Sequence, residues 1–97
     1  MTAMDVAVAD NPDAARYELT VDGDRAGFVT YRQSDGVIAF LHAEVDPARE
    51  RRGLGSALVR GALDDARARG LSVRPVCPFV QWFMETHEEY RDLRLRK

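Results

Sequence analysis

Up to residue 45 the apolar residues tend to fall on alternate positions, and beyond Gly53 they recur every three or four, so the chain passes from strand to helix periodicity near its middle. Ala15 to Val21 and Ala26 to Arg32 alternate well enough for two strands, joined by hairpin chemistry at Asp22-Gly23-Asp24. In the second, Phe28 alternates with Val29 and Tyr31. Asp35-Gly36 turns the chain into a third strand, Val37 to Val45. Strict alternation there puts Ile38, Phe40, His42 and Glu44 on one face and Val37, Ala39, Leu41, Ala43 and Val45 on the other. Both faces are largely apolar, so this strand is expected at the centre of a sheet. Met1 to Pro12, rich in Ala and Asp without a clear period, reads as a loose lead-in that joins the sheet only near its end.

From Leu54 the stripe is Leu54, Leu58, Ala62 and Ala66, widened by Val59 and Leu63, with Asp64, Asp65, Arg67 and Arg69 toward solvent. Gly70 stops this helix. Leu71 to Val76 then forms a fourth strand, which a connection of this length can place parallel to the third. Pro78 suits the first turn of a second helix, running from Phe79 to about Thr86 and burying Val80, Phe83 and Met84. The order β-β-β-α-β-α predicts an α+β fold, with antiparallel hairpins leading into a β-α-β unit plus a second helix, in a single domain over residues 1–97.

Composition narrows the function classes. With 45% hydrophobic and 31% charged residues and a formal net charge of −2, the chain fits neither a disordered tail nor a generally basic nucleic-acid binder. No apolar run approaches the roughly eighteen residues of a membrane span, and the polar N-terminus lacks a signal-peptide core. A single cysteine excludes an internal disulfide and puts a Cys/His metal cluster out of reach. A cytoplasmic setting is expected, with no metal, nucleic-acid or membrane partner. Oligomeric state is not legible.

The junction Glu50-Arg51-Arg52-Gly53-Leu54-Gly55-Ser56 joins the third strand to the first helix. A helix start carries about half a positive charge and several orphan amide donors, which suits a phosphate or pyrophosphate. Gly53 and Gly55 would let such a ligand approach the main chain, and Arg51 and Arg52 add cationic side chains. No Lys-Ser or Lys-Thr follows, as a P-loop requires, and the third glycine of a dinucleotide fingerprint is missing.

Val45-Asp46-Pro47 through Gly53-Leu54-Gly55-Ser56-Ala57-Leu58 resembles the acetyl-coenzyme A loop of the GNAT superfamily of N-acetyltransferases. That loop reads Arg or Gln, two residues, Gly, one residue, then Gly or Ala. The likeness extends to a class of small GNAT proteins of about this length, which carry His-x-Glu-Val, Pro-Val-Cys and His-Pro-Glu-Tyr in that order. Here the matching segments are His42-Ala43-Glu44-Val45, Pro75-Val76-Cys77 and His87-Glu88-Glu89-Tyr90. The chain departs twice: the signature Arg or Gln falls on Glu50, and the proline on Glu88. An inward Glu50 would repel pyrophosphate, so the loop amides are assigned the anchoring, with Arg49, Arg51 or Arg52 supplying charge. The resemblance implies a truncated GNAT fold that transfers acetyl from acetyl-CoA to an unidentified amine. It also implies cofactor contacts from Val45, Arg51, Arg52, Gly53, Leu54, Gly55 and Ser56. Full-length GNAT proteins have further strands that close the acceptor pocket. Their absence here implies an open groove suited to a protein lysine or a peptide N-terminus, with a small polyamine as a further possibility.

Three residues are candidates for chemistry. Cys77 follows a strand and precedes a helix start, where the helix field favours thiolate, so it could act as a nucleophile or acyl acceptor. It could equally be a small buried hydrophobe. The resemblance puts it beside the acetyl group. His42 is a candidate proton acceptor, with Glu44 to orient it or the substrate amine; the alternatives are a hydrogen-bonded strand histidine and a solvated strand end. His87 and Tyr90 read chiefly as an anchor for a short tail, Trp82 and Phe83 as core or lid, and Arg91, Arg94, Arg96 and Lys97 as a solvated basic end. Two other function classes stay open: a module that holds CoA or an acyl-CoA without turnover, and an interaction domain working through that basic end.

Overall fold

Both Asp-Gly pairs adopt the left-handed conformations a two-residue hairpin loop demands: Asp22 and Gly23 have φ of 52° and 87°, Asp35 and Gly36 of 53° and 78°. They connect β2 (Arg16–Val21), β3 (Asp24–Ser34) and β4 (Val37–Val45). The computed structural model describes residues 5–48 and 53–95.

The expected lead-in is a full strand, β1 (Val6–Asn11), paired antiparallel with β2 from Val6↔Val21 to Asn11↔Arg16. Val-Ala-Val-Ala offers no polar contrast to reveal its period, yet Val6 and Val8 pack against the core. A 3-10 turn at Pro12–Ala14 and a left-handed Ala15 (φ 53°) then begin β2 one residue later than expected. After β4 come α1 (Leu54–Ala68), β5 (Ser72–Pro75) and α2 (Pro78–Thr86). The sheet order is β1-β2-β3-β4-β5, antiparallel except for β5, which runs parallel to β4. This is an α+β fold with five strands where the alternation alone gave four.

The helices bury the residues their spacing selected: Leu54, Leu58, Val59, Ala62, Leu63 and Ala66 from α1, and Val80, Phe83 and Met84 from α2. They join one strand face, including Tyr17, Leu19, Val29, Tyr31, Ile38, Phe40 and Val73, in a single core. Asp65, expected in solvent, is drawn inward. It accepts from the Tyr17 hydroxyl (2.5 Å) and pairs with Arg69 (2.9 Å). Arg69 also reaches Asp10 (2.8 Å), which accepts from the Tyr31 hydroxyl (2.6 Å), so the end of α1 is tied to three strands. Burial, reinforced by Asp65, pushes the Tyr17 phenol well above its ordinary value.

The alternation expected along β4 breaks at Leu41. Thr30 pairs with His42 but Tyr31 pairs with Phe40, so Leu41 is an extra residue, a β-bulge. One inserted residue inverts every side chain beyond it. Ile38 and Phe40 therefore share the helix-covered face with Ala43 and Val45, while His42 and Glu44 stand exposed on the opposite face of the sheet. The expectation that His42 and Glu44 lie on the Ile38–Phe40 face is thus corrected. That the two share a face with each other holds.

Beyond α2, a 3-10 segment at Glu88–Leu93 folds back on α1. The Tyr90 hydroxyl donates to Asp64 (2.7 Å), Arg67 forks onto the two Asp92 oxygens (2.9 Å each), and the Leu95 amide donates to the Val73 carbonyl (2.7 Å).

Candidate functional site

Strands β4 and β5 part company at Phe40↔Pro75. The Phe40 carbonyl accepts from both Val76 N (3.0 Å) and Cys77 N (2.8 Å), and there the pairing stops. Pro75 has no amide to continue a ladder, and Pro78 at the first position of α2 turns the chain away. β4 runs on to Val45, so its edge from Leu41 onward faces a fork with no paired strand among the described residues.

Beside the fork lies a cavity of about 400 Å³ lined by Ala43, Glu44, Val45, Gly53, Gly55, Ser56, Leu58, Phe79 and Trp82. Its volume is in the range of small-molecule pockets, roughly 300–1,000 Å³. The α1 N-terminus forms one wall. Gly53 caps that helix with φ of 67°, a left-handed conformation that a side chain would strain. The first intrahelical bond is Ala57 N to Gly53 O at 3.0 Å, so the amides of Leu54, Gly55 and Ser56 have no intrahelical acceptor. At Gly55 the reason for glycine is contact: a Cβ there would meet the Phe79 ring at 3.2 Å.

Of the expected cofactor residues, Val45, Gly53, Gly55 and Ser56 line this cavity together. The Leu54 side chain is in the core, 2% exposed, which leaves its backbone amide to face a ligand. Arg51 and Arg52, with Arg49 and Glu50, lie outside the described residues.

His42 Nε2 and Glu44 Oε2 are 2.8 Å apart on exposed side chains. The His42 ring is 6.4 Å from that of Phe28, and the Arg16 guanidinium lies over the Phe28 ring at 5.0 Å. Cys77 is at the fork, as the N-cap residue of α2, but is only 4% exposed and is not a cavity-lining residue. Tyr90 is an anchor: it is 4% exposed, with Asp64 accepting from its hydroxyl and Arg60 donating to it at 3.2 Å. Burial, then Asp64, raises its phenol above the ordinary value. His87 stacks on Phe83 (3.8 Å, 11°) and donates from Nδ1 to the Phe83 carbonyl (2.9 Å), closing the end of α2.

The reading of Trp82 and Phe83 as a pair divides here. Phe83 is core, whereas Trp82 is 49% exposed and forms the cavity wall with Phe79. The signal for that wall was in the sequence: Phe79 and Trp82 are three apart on one helix face, beside the buried stripe of Val80, Phe83 and Met84. Among the described residues no group of His, Cys, Asp and Glu could hold a metal ion, and no helix is long and apolar enough to cross a membrane.

A family model described as GCN5-related N-acetyl-transferase matches residues 16–93. The chain belongs to that family. The matched span runs from β2 through the fork, the α1 N-terminus and Cys77 to the Tyr90 anchor. Among solved structures the chain is similar to a GCN5-like protein from Staphylococcus aureus, with 20% identity, TM-score 0.69, and 100% of this chain and 93% of that one covered. It is also similar to the ribosomal-protein-S18-alanine N-acetyltransferase of Escherichia coli (29% identity, TM-score 0.56), over 60% of this chain and 38% of that one. The N-acetylglutamate synthase of Neisseria gonorrhoeae, solved with coenzyme A and N-acetyl-glutamate, is similar at 19% identity and TM-score 0.59, over 84% of this chain and 22% of that one. The first and third of these likenesses speak to the fold. A comparison with curated proteins gives no significant match.

Proposed function

We propose that this GNAT-family chain transfers an acetyl group from acetyl-CoA to an amine. The observation that carries the reading is the fork between β4 and β5, which opens beside the first amides of α1, those with no acceptor within the helix. Those amides of Leu54, Gly55 and Ser56 hold the pyrophosphate, with Arg51 and Arg52 as counter-charges. The free edge of β4 up to Val45 offers backbone donors and acceptors to the amide-bearing pantetheine arm, as it would to an added strand. The arm then carries the thioester into the fork, next to Cys77.

His42 and the cavity lie on opposite faces of β4, and the fork is the slot through which the two faces meet. The acceptor accordingly arrives over the bare face, where a protein lysine or a peptide N-terminus has room. His42, held by Glu44, takes the proton that the attacking amine must shed. In the relay form of the reaction Cys77 Sγ attacks the thioester carbonyl, the C–S bond to CoA breaks, and CoA leaves as thiolate. The amine then attacks acetyl-cysteine and releases Cys77. The burial of Cys77, 4% exposed, favours a second reading in which the amine attacks the thioester directly.

Incubation with acetyl-CoA and a panel of amines, followed by thiol release and intact-protein mass spectrometry, tests both. Thiol release that depends on an amine supports transfer; CoA binding without release leaves a non-catalytic module. A mass increase of one acetyl that Cys77→Ser abolishes supports the relay, and turnover retained in Cys77→Ser supports direct attack.

A further inference from the structure

We infer that Phe79 and Trp82 form a stacking wall for the purine ring of the nucleotide, so that Trp82 selects an adenine-bearing carrier over a bare phosphopantetheine arm; this rests on the acetyl-CoA reading above. Packing does not account for the indole. α2 already buries Val80, Phe83 and Met84, and Trp82 is left 49% exposed, one of three large apolar side chains so exposed among the described residues. Its ring and that of Phe79 have centroids 5.5 Å apart at an interplanar angle of 32°, so the two present a broad, shallow aromatic surface to the cavity.

Position along α2 assigns the ring that this surface meets. Cys77, at the N-terminus of α2, marks the fork and hence the thioester end. Phe79 lies against Gly55, in the turn that holds phosphate. Trp82 is nearly one helical turn further from the fork. A carrier with its thioester at Cys77 and its diphosphate at Gly55 has only its nucleoside end left to reach Trp82. Glu44 is the one ionisable residue among the described lining residues, and its carboxylate is turned to His42 on the other face of β4, so the base is held by its π face rather than by charge. Base–aromatic stacking of this kind changes affinity by roughly tenfold or more when the aromatic is removed.

Trp82 is the single tryptophan of the chain, so its fluorescence reports the site without a label. Titration of the parent with CoA should quench it. By calorimetry, Trp82→Ala should weaken CoA about tenfold while 4′-phosphopantetheine stays within about twofold, and Trp82→Phe should retain most of the CoA affinity. The indole is half exposed, so the variants should fold, which far-UV circular dichroism checks. Equal weakening of CoA and 4′-phosphopantetheine by Trp82→Ala would overturn the proposal, because the wall would then grip the arm. No change in either would overturn it too. Failure of the parent to bind CoA at all is a separate outcome that removes the acetyl-CoA reading along with the wall.

Discussion

A Cβ built on Gly61 would lie 2.7 Å from the Cβ of Val8, so α1 rests directly on β1 at the one point where a helical residue without a side chain faces the edge strand. Gly61→Ala gains up to about 1 kcal/mol of helix propensity. It also drives a methyl into the Val8 side chain, an overpacking penalty of about 1–3 kcal/mol. The variant should be less stable than the parent in urea unfolding, and adding Val8→Ala should recover part of the loss. A Gly61→Ala midpoint above that of the parent would show that β1 gives way freely.

The Tyr31 phenol is one of three, with those of Tyr17 and Tyr90, that tie stability to alkaline pH. Burial, then the Asp10 carboxylate that accepts its hydrogen bond, pushes the Tyr31 phenol up to about 12. Folding favours the protonated form, so this contribution is whole below the unfolded value of about 10. It fades as the pH rises toward 12, because the unfolded chain then releases the proton that the folded chain retains. Urea midpoints measured between pH 8 and 11 should fall at the alkaline end, and Tyr31→Phe should flatten the fall. An equal slope in Tyr31→Phe would assign it to other groups.

Gly53 and Gly55 should fail for different reasons when substituted. Among the described residues nothing lies within 4 Å of a Cβ at Gly53, so what Gly53→Ala meets there is the backbone strain of φ 67°, about 1–2 kcal/mol. Gly55→Val presses on the Phe79 ring and on Val45 across the cavity. CoA affinity should therefore drop by at least about tenfold in Gly55→Val, with a sheet-rich circular dichroism spectrum retained. Affinity within twofold of the parent would mean that the cavity is not the binding site.

His42→Ala should lower kcat by about 10²- to 10⁴-fold, the usual contribution of a positioned general base. KM for acetyl-CoA should stay unchanged, because His42 points away from the cavity face. Glu44→Gln should retain more activity than His42→Ala, since it loosens the 2.8 Å contact without removing the base. A matching rise in KM would place His42 in carrier binding instead.

Local rules carried much of this protein. The buried faces of α1 and α2, the hairpins at Asp22-Gly23 and Asp35-Gly36, and the bounds of β4 follow from period and turn chemistry, which depend on neighbours a few residues away. So does the pairing of His42 with Glu44, two positions apart on one strand. The family, too, was readable from the order of short motifs. What the chain could not announce locally is what distant residues impose on one another. The bulge at Leu41 exists only because β3 pairs with β4 out of step, and that step alone sends His42 and Glu44 to the face away from the helices. β1 is a strand because β2 and Gly61 receive Val6 and Val8, although Val-Ala-Val-Ala has no amphipathic signature of its own. Cys77 is buried because α2 folds over the fork, and Trp82 is exposed because Val80, Phe83 and Met84 already fill the space beneath it. Periodicity reports which residues can share a face. Register and packing between elements far apart in the chain decide which way that face looks.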